Sequence, residues 1–197
     1  MIANNETFDN VIWTDETTIY LENYGSYQYR KVGEPNPRKP KPKHPQKLNV
    51  WGAITRKGRG NVVIFNGNVN QEFYTDSILR DTVIPLIADY FPNGARYQQD
   101  SAPAHRSRRA TGFMHDNGIV RFPFPPESPD LNPIESIWNC MKEYCRNKAK
   151  PTNLAELQNS ILRYWNSVDE NICNFYIDML YKKMPRVIEV GGYPSGY

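Results

Sequence analysis

The sequence predicts one mixed α/β domain spanning residues 1–197, and three observations support this fold class. Apolar runs of strand length fill the first third of the chain, and helical and strand-like patterns alternate after residue 70. This order is typical of a mixed sheet flanked by helices rather than of separate α and β domains. A chain of 197 residues with 39% hydrophobic residues can also bury a sizeable single core.

Four segments in the first third of the chain predict strands. Val11–Asp15 is a short apolar run that ends in an acid, so we expect a buried strand whose last residue emerges at the edge of the sheet. Residues 17–29 predict a second strand or a ragged hairpin. Residues 48–54 predict another strand, which a turn over residues 56–60 connects to a further strand over residues 61–65.

Helical spacing of apolar residues predicts the first helix after residue 70, and short apolar runs predict the last two strands. The remaining predicted elements are, in chain order, a helix over 70–87 kinked at Pro85, a strand over 95–99 that leads into Asp100, a helix over 104–117 closed by Gly118, a strand over 119–122, a helix from Pro133, a helix over 152–165 capped by Thr152, and a helix over 169–183.

The segment Ser128–Trp138 places a carboxylate at the start of a helix. Asn132 is a favourable N-cap, Pro133 suits the first helical position, and Glu135 falls in the first turn. Glu135 lies beside an apolar stripe, so its side chain can face the edge of a cleft. An acid at this position can also simply offset the helix dipole, which is worth about 0.3 to 1 kcal/mol. The stripe consists of Ile134, Ile137, Trp138, Met141 and Cys145.

Two further acids, Asp15 and Asp100, follow predicted strands and would join Glu135. Residues at the carboxyl ends of strands line the functional crevice of open α/β sheets. Three carboxylates without histidine or thiolate partners suit a hard cation, Mg²⁺ or Mn²⁺, and two such ions can act together on a phosphodiester. Any one of these acids taken alone could be an ordinary surface acid.

Residues 30–47, called here the basic segment, concentrate positive charge. The segment carries a net charge of +6, whereas the whole chain carries +3. Its five prolines disfavour helix and sheet, so we expect an extended arm suited to a phosphate backbone, although a solvated linker or a nuclear-import signal has the same composition. Its basic residues are Arg30, Lys31, Arg38, Lys39, Lys41, Lys43 and Lys47.

Several classes of protein are not indicated. No run of eighteen apolar residues is present, and residues 1–15 lack the layout of a secretion signal, so we expect a soluble, intracellular protein without a membrane partner. The three cysteines and three histidines show no zinc-binding spacing and no disulfide framework, and we expect reduced thiols.

Three sequence blocks resemble the catalytic blocks of mariner-type transposases. They are Trp13-Thr14-Asp15-Glu16, Gln98-Gln99-Asp100-Ser101-Ala102-Pro103-Ala104-His105 and Ser128-Pro129-Asp130-Leu131-Asn132-Pro133-Ile134-Glu135, with 34 residues between Asp100 and Glu135. Val50-Trp51-Gly52 and Met184-Pro185-Arg186 are similar too. The resemblance implies a ribonuclease H-like fold with a mixed five-stranded sheet flanked by helices. It also implies cut-and-paste DNA transposition at inverted repeats, with insertion at TA.

The resemblance also implies roles for individual residues. Asp15 would bridge two Mg²⁺ or Mn²⁺ ions, while Asp100 would hold one ion and Glu135 the other. His105 would orient a phosphate or the nucleophile, although a histidine on a helix surface is an equally good interpretation. The arginines that follow, Arg106, Arg108 and Arg109, would line the path of double-stranded DNA or be solvated helix charges. The basic segment would contact DNA or a partner subunit of a homodimer in the nucleus.

Relatives carry helix-turn-helix modules ahead of the catalytic domain, and this chain begins fourteen residues before Asp15. We therefore expect no recognition helix in it. Two functions remain open from the sequence: a catalytically competent nuclease and strand transferase, or a truncated or host-captured non-catalytic remnant that binds DNA or dimerises.

Overall fold

A six-stranded mixed sheet forms the centre of the computed structural model, which describes residues 6–22, 45–124 and 131–189. The strands are β1 (Val11–Tyr20), β2 (Lys47–Thr55), β3 (Gly58–Arg59), β4 (Val63–Phe65), β5 (Arg96–Gln98) and β6 (Val120–Arg121). Their order is β3-β2-β1-β5-β6, and β4 pairs with β2 beside β3. The mixed α/β class is therefore confirmed. The predicted strand over 61–65 is shortened to β4, and the preceding turn contributes β3 as a sixth strand.

The central strand β1 is twice as long as predicted. The expectation that it ends at Asp15 is wrong, because β2 pairs with β1 antiparallel from Trp13 to Tyr20 and carries the strand past the acid. Polar residues sustain this extension, since Thr18 Oγ1 donates to Asn49 Oδ1 on β2 at 2.8 Å. The second strand predicted over 17–29 is thus the end of β1 as far as Tyr20, and residues 23–29 lie outside the described residues.

The helices surround the sheet on both faces. They are α1 (Gln71–Phe73), the π-helical segment π1 (Tyr74–Val83), α2 (Ile84–Tyr90), α3 (Arg108–Asp116), α4 (Pro133–Tyr144), the π-helical segment π2 (Cys145–Ala149), α5 (Leu154–Ser167) and α6 (Glu170–Glu189). The first three form the helix predicted over 70–87. Pro85 has no N–H to donate to the carbonyl four residues earlier, and the wider π winding occupies the turns that precede it.

Three predicted helix boundaries are wrong. α3 begins at Arg108 rather than at residue 104, because Ser107 Oγ accepts from the Ala110 amide and caps it there. α5 is capped by Asn153 rather than by Thr152, whose amide and hydroxyl both donate to Glu156. α6 runs six residues past Lys183 and contains Pro185.

Side-chain alternation along β1 divides the hydrophobic core in two. Trp13 faces a core built with α4, α5 and α6, whereas Ile12 faces a core built with π1, α2 and α3. The predicted apolar stripe of α4 belongs entirely to the first core. All three cysteines are free thiols. Among the described residues, no helix combines the length and apolar content needed to cross a bilayer.

Arg96, the first residue of β5, binds the segment that precedes β1. Its guanidinium makes two hydrogen bonds to the Glu6 carboxylate, at 2.7 and 2.8 Å, and a third to Asn10 Oδ1 at 2.8 Å. It also lies 5.1 Å from the ring centroid of Phe122. The Arg96 bond lowers the pKa of Glu6 to about 2. The ion pair therefore contributes stability while Glu6 is ionised.

We predict that Glu6→Gln destabilises the protein by about 1 to 3 kcal/mol at pH 7. A lowered carboxyl pKa contributes stability above its unfolded value, near 4.5, and that stability is lost as the pH falls towards about 2. Urea unfolding of both proteins between pH 7 and pH 2 measures this, and their difference should shrink across that window. Glu72→Gln, at an exposed acid, is the matched control, and a constant difference for Glu6→Gln would contradict the prediction.

Candidate active site

Asp15 lies on β1 directly beside the start of α4. Its side chain is half-buried, and its Oδ2 accepts a hydrogen bond from the indole Nε1 of Trp138 at 3.2 Å. Burial, followed by the charges of Glu135 and Glu16, raises the pKa of Asp15 to about 8, and the charge of Asp100 adds to this. The acid of the first sequence block is therefore close enough to those of the second and third blocks to be repelled by them.

A glycine on the neighbouring strand makes room for the indole that contacts Asp15. Gly52 is the register partner of Asp15, and a Cβ there would lie 2.7 Å from Trp138 Cη2 and 2.9 Å from Trp165 Cη2. The two indoles stack with centroids 5.3 Å apart at 24°, and Trp165 Nε1 donates to Gly60 O at 2.9 Å. Trp138 is a core residue, as predicted, and it also donates to the candidate site.

Asp100 lies just beyond β5, as predicted, but β5 ends at Gln98 and Asp100 follows it by two residues rather than directly; its side chain is exposed. Its Oδ1 accepts from the Ala102 amide at 2.9 Å and lies 2.6 Å from His105 Nδ1. The bond with His105 comes first among the causes that lower the pKa of Asp100. The parallel pairing of β1 with β5 ends at Trp13 and Gln98, so Asp15 and Asp100 each lie two residues beyond the same pair. This shared offset brings the two acids to one end of the parallel strands.

His105 is buried between two carboxylates. Its Nδ1 faces Asp100, its Nε2 lies 3.3 Å from Glu16 Oε1, and its ring stacks on Tyr74 with centroids 4.0 Å apart. Burial lowers the pKa of His105, but the bonds to Asp100 and Glu16 outweigh it and raise the pKa to about 9. The imidazole is therefore protonated at neutral pH and compensates two acids. Its predicted contact with DNA stays a prediction.

Glu16 is a site residue that the sequence reasoning missed. Candidate ligand atoms of Glu16, Asp100 and His105 lie within 4.8 Å of one another, and within the described ranges this is the one such group. Asp15 and Glu135 do not belong to this group. The three predicted acids therefore lie near one another, but their ligand atoms are not all within 4.8 Å of one another. The sequence signal was the direct adjacency of Glu16 to Asp15 in the first of the three sequence blocks.

The donor set fits a hard divalent cation. Four carboxylates offer the oxygen atoms that such a cation prefers, and burial together with the charges of Glu135, Glu16 and Asp100 raises the pKa of Asp15. A cation would relieve the repulsion among these acids. Glu135 lies in the first turn of α4, half-buried, as predicted. The positions of the acids therefore provide an electrostatic reason for metal binding.

The predicted DNA contacts are placed only in part. Arg30 to Lys43 of the basic segment lie outside the described residues, whereas Lys47 opens β2 with an exposed side chain, 6.0 Å from the ring centroid of Tyr20. Arg106 and Arg108 are exposed beyond Asp100, and Arg109 is held by both carboxylate oxygens of Asp76. The predicted contact of Arg106 with DNA stays a prediction.

A sequence model described as DDE superfamily endonuclease matches residues 10–158, which is most of the chain and includes all three predicted acids. The chain belongs to the DDE superfamily endonucleases. The resemblance to mariner-type transposases in the three sequence blocks is thereby confirmed.

Two transposases of Caenorhabditis elegans are similar to this DDE endonuclease. Transposable element Tc3 transposase is 29% identical over 150 residues, covering 75% of this chain and 45% of that protein. Transposable element Tc1 transposase is 26% identical over 192 residues, covering 94% of this chain and 70% of that protein. The chain thus spans about half the length of the Tc3 transposase.

Solved structures of Mos1 transposase have the same fold. The Mos1 paired-end complex with the left transposon end matches with a TM-score of 0.78 and 16% identity over 95% of this chain and 56% of that chain. The catalytic domain of Mos1 mariner transposase matches with a TM-score of 0.72 and 13% identity over 94% of this chain and 84% of that chain. The predicted ribonuclease H-like class of this DDE endonuclease is therefore confirmed.

We predict that Gly52→Ala destabilises the protein by about 1 to 3 kcal/mol, because its methyl group collides with both stacked indoles. Gly112→Ala is the matched control, since a Cβ there meets nothing within 4 Å and alanine favours the exposed helix α3 by up to about 1 kcal/mol. Urea unfolding compares the two variants. Equal stabilities would show that the space beside Trp138 is not required.

Proposed function

We propose that this chain is the catalytic core of a DNA transposase that cleaves and joins phosphodiester bonds with bound divalent cations. Family membership supports the class of reaction. The observation that carries the proposal is the gathering of acids from separate segments. Ligand atoms of Glu16 and Asp100 lie within 4.8 Å of each other, and burial and the charges of Glu135, Glu16 and Asp100 raise the pKa of Asp15. Acids gathered from separate segments despite mutual repulsion are typical of a cation site.

Asp15, Asp100 and Glu135 are the proposed metal ligands. Solved structures of the Mos1 catalytic domain carry Mg or Mn in their titles, and we extend that choice of ion, with two ions per site, to this chain. Bound cations would polarise the phosphate and stabilise charge on the attacking and leaving oxygens. The charges of Glu135 and Asp100 both act on Asp15, and this suits a residue that would bridge the two ions.

The chain's own residues orient Asp100 for this task. His105 and the Ala102 amide both bind Oδ1 of Asp100. We therefore propose Oδ2 of Asp100 as the metal ligand. A protonated His105 carries an N–H on each ring nitrogen, so Nδ1 directs one proton towards Asp100 and Nε2 directs the other towards Glu16. This arrangement fixes the carboxylate plane before a cation arrives.

The finer features of the function are also proposals. The Mos1 complex contains paired transposon ends, and we propose that this chain likewise acts on double-stranded DNA as a homodimer, with insertion at TA. A protein that acts on chromosomal DNA works in the nucleus, and the basic segment has the composition of an import signal.

We predict that Asp100→Asn lowers Mn²⁺-dependent nicking of supercoiled plasmid by roughly a hundredfold or more, because it removes a ligand charge. Glu135→Gln should behave alike, whereas the matched control Asp89→Asn, at an exposed acid on α2, should keep wild-type nicking. Agarose gels with and without chelator provide the measurement. Undiminished nicking by Asp100→Asn would contradict the proposal and favour the non-catalytic DNA-binding alternative.

We predict that replacing Lys39, Lys41 and Lys43 together by Gln weakens DNA binding and flattens its salt dependence. Each lost phosphate contact lowers the slope of log K against log salt by about 0.9, so the slope should fall by roughly 2 to 3. Fluorescence anisotropy on a DNA duplex at several salt concentrations measures it. Neutralising three exposed lysines elsewhere, Lys148, Lys150 and Lys182, is the control, and equal slopes for the two triple variants would rule out the contact.

A further inference from the structure

One buried hydrogen-bond network joins the three segments that carry the acids. Thr14 precedes Asp15, Gln98 lies two residues before Asp100, and Asn132 lies three residues before Glu135, and all three members of the network are buried. Asn132 Nδ2 donates to Thr14 O at 3.0 Å and reaches Gln98 Oε1 at 3.5 Å. Thr14 N donates to Gln98 Oε1 at 3.0 Å, and Thr14 Oγ1 donates to Gln98 O at 2.6 Å.

The network begins where the sheet ladder stops. The last parallel pair between β1 and β5 joins Trp13 to Gln98, so the Thr14 amide and carbonyl have no further strand residue opposite them on that side. The side-chain amides of Gln98 and Asn132 take the places of the missing ladder partners. A buried backbone group without a hydrogen-bond partner is costly, so these two side-chain amides are held firmly in place.

Asn132 makes this contact instead of capping its own helix. It occupies the N-cap position of α4, yet its side chain makes no cap hydrogen bond, and its Oδ1 has no partner within the described part of the chain. At the same position of α5, Asn153 Oδ1 accepts from the Glu156 amide at 2.9 Å. Asn70 does the same for α1, with the Phe73 amide at 2.8 Å.

We propose that Asn132 is a positioning residue of the active site: it sets the place of Glu135 relative to Asp15 and Asp100. The inference rests on the proposed function. An N-cap hydrogen bond stabilises a helix, and Asn132 lacks this bond because its side chain contacts β1 and β5 instead. The short, planar side chain of Asn132 leaves its helix little freedom to move relative to the strands. Catalytic groups must be held within about half an ångström of their productive positions. Asn132 thus acts through Glu135 rather than on a substrate.

The test is Asn132→Ser in the full chain, with Mn²⁺ affinity as the readout. Serine is as good an N-cap as asparagine, so a capping role would survive, but its side chain is too short to bridge Thr14 and Gln98. We expect a 10- to 100-fold loss of Mn²⁺ affinity by calorimetric titration, the size seen when the support of metal ligands is removed. Asn153→Ser, at the capping asparagine of α5, is the matched control and should stay within about twofold of wild type.

Thr14→Val provides a second variant that keeps the side-chain shape and the backbone carbonyl. It removes the Oγ1 hydroxyl and with it the bond to Gln98 O, while the two bonds of the Thr14 backbone remain, so we expect a smaller loss, about three- to tenfold. This variant tests the network even if Asn132→Ser fails to fold. Lower thermal stability with unchanged Mn²⁺ affinity in both variants would make the network merely structural and overturn the inference.

A double variant, Asp15→Asn with Asp100→Asn, separates this inference from the proposed function. If the wild type binds Mn²⁺ and the double variant does not, the two acids are supported as metal ligands. The Asn132 and Thr14 variants then decide the inference by themselves. Wild type that binds no better than the double variant would overturn the proposed metal site, and the inference would fall with it.

Discussion

A half-buried carboxyl group on the central strand of the sheet, that of Asp15, is the constraint on which the rest of the site depends. Asp15 lies on β1, which pairs with β2 and β5, and its half-buried position makes ionisation costly. The neighbouring acids add to that cost rather than relieve it. The surrounding residues supply hydrogen-bond donors. The Trp138 indole donates to Asp15, and the His105 imidazole contacts the carboxylates of Asp100 and Glu16. A fold built only for stability would not gather these acids, so their arrangement is best understood as preparation for a cation.

Much of this arrangement could be predicted from the sequence because local signals and global topology agree. The Asn-Pro start and apolar stripe of α4 placed Glu135 correctly, and the strand leading to Asp100 formed despite its polar residues. That strand forms because β1 and β6 pair with it on both sides, a tertiary contribution that single-sequence patterns lack. The length of β1 was underestimated for the same reason: β2 pairing extends it through residues whose own pattern is weak.

Other features depend on contacts between distant segments and leave no local signal. The role of Gly52 follows from its register with Asp15 and from two indoles that come from α4 and α5. Asn132 looks like an ordinary helix cap in the sequence, and only its bonds to Thr14 and Gln98 separate it from Asn153. For His105 the sequence left two interpretations equally open, a residue that orients a phosphate or the nucleophile and a residue of a helix surface. In the structure α3 begins only at Arg108, and the His105 ring is buried beside Asp100.

The stacked indoles beside Asp15 also have a spectroscopic consequence. All four tryptophans are buried, but Trp138 and Trp165 lie face to face at 5.3 Å, close enough for their electronic transitions to couple. Such a pair gives a paired, oppositely signed band in circular dichroism that isolated indoles lack. Because the Trp138 N–H donates a hydrogen bond to the Asp15 carboxylate, we expect the fluorescence emission of Trp138 to change with the charge of Asp15. The protein therefore carries a built-in optical reporter at its own candidate site.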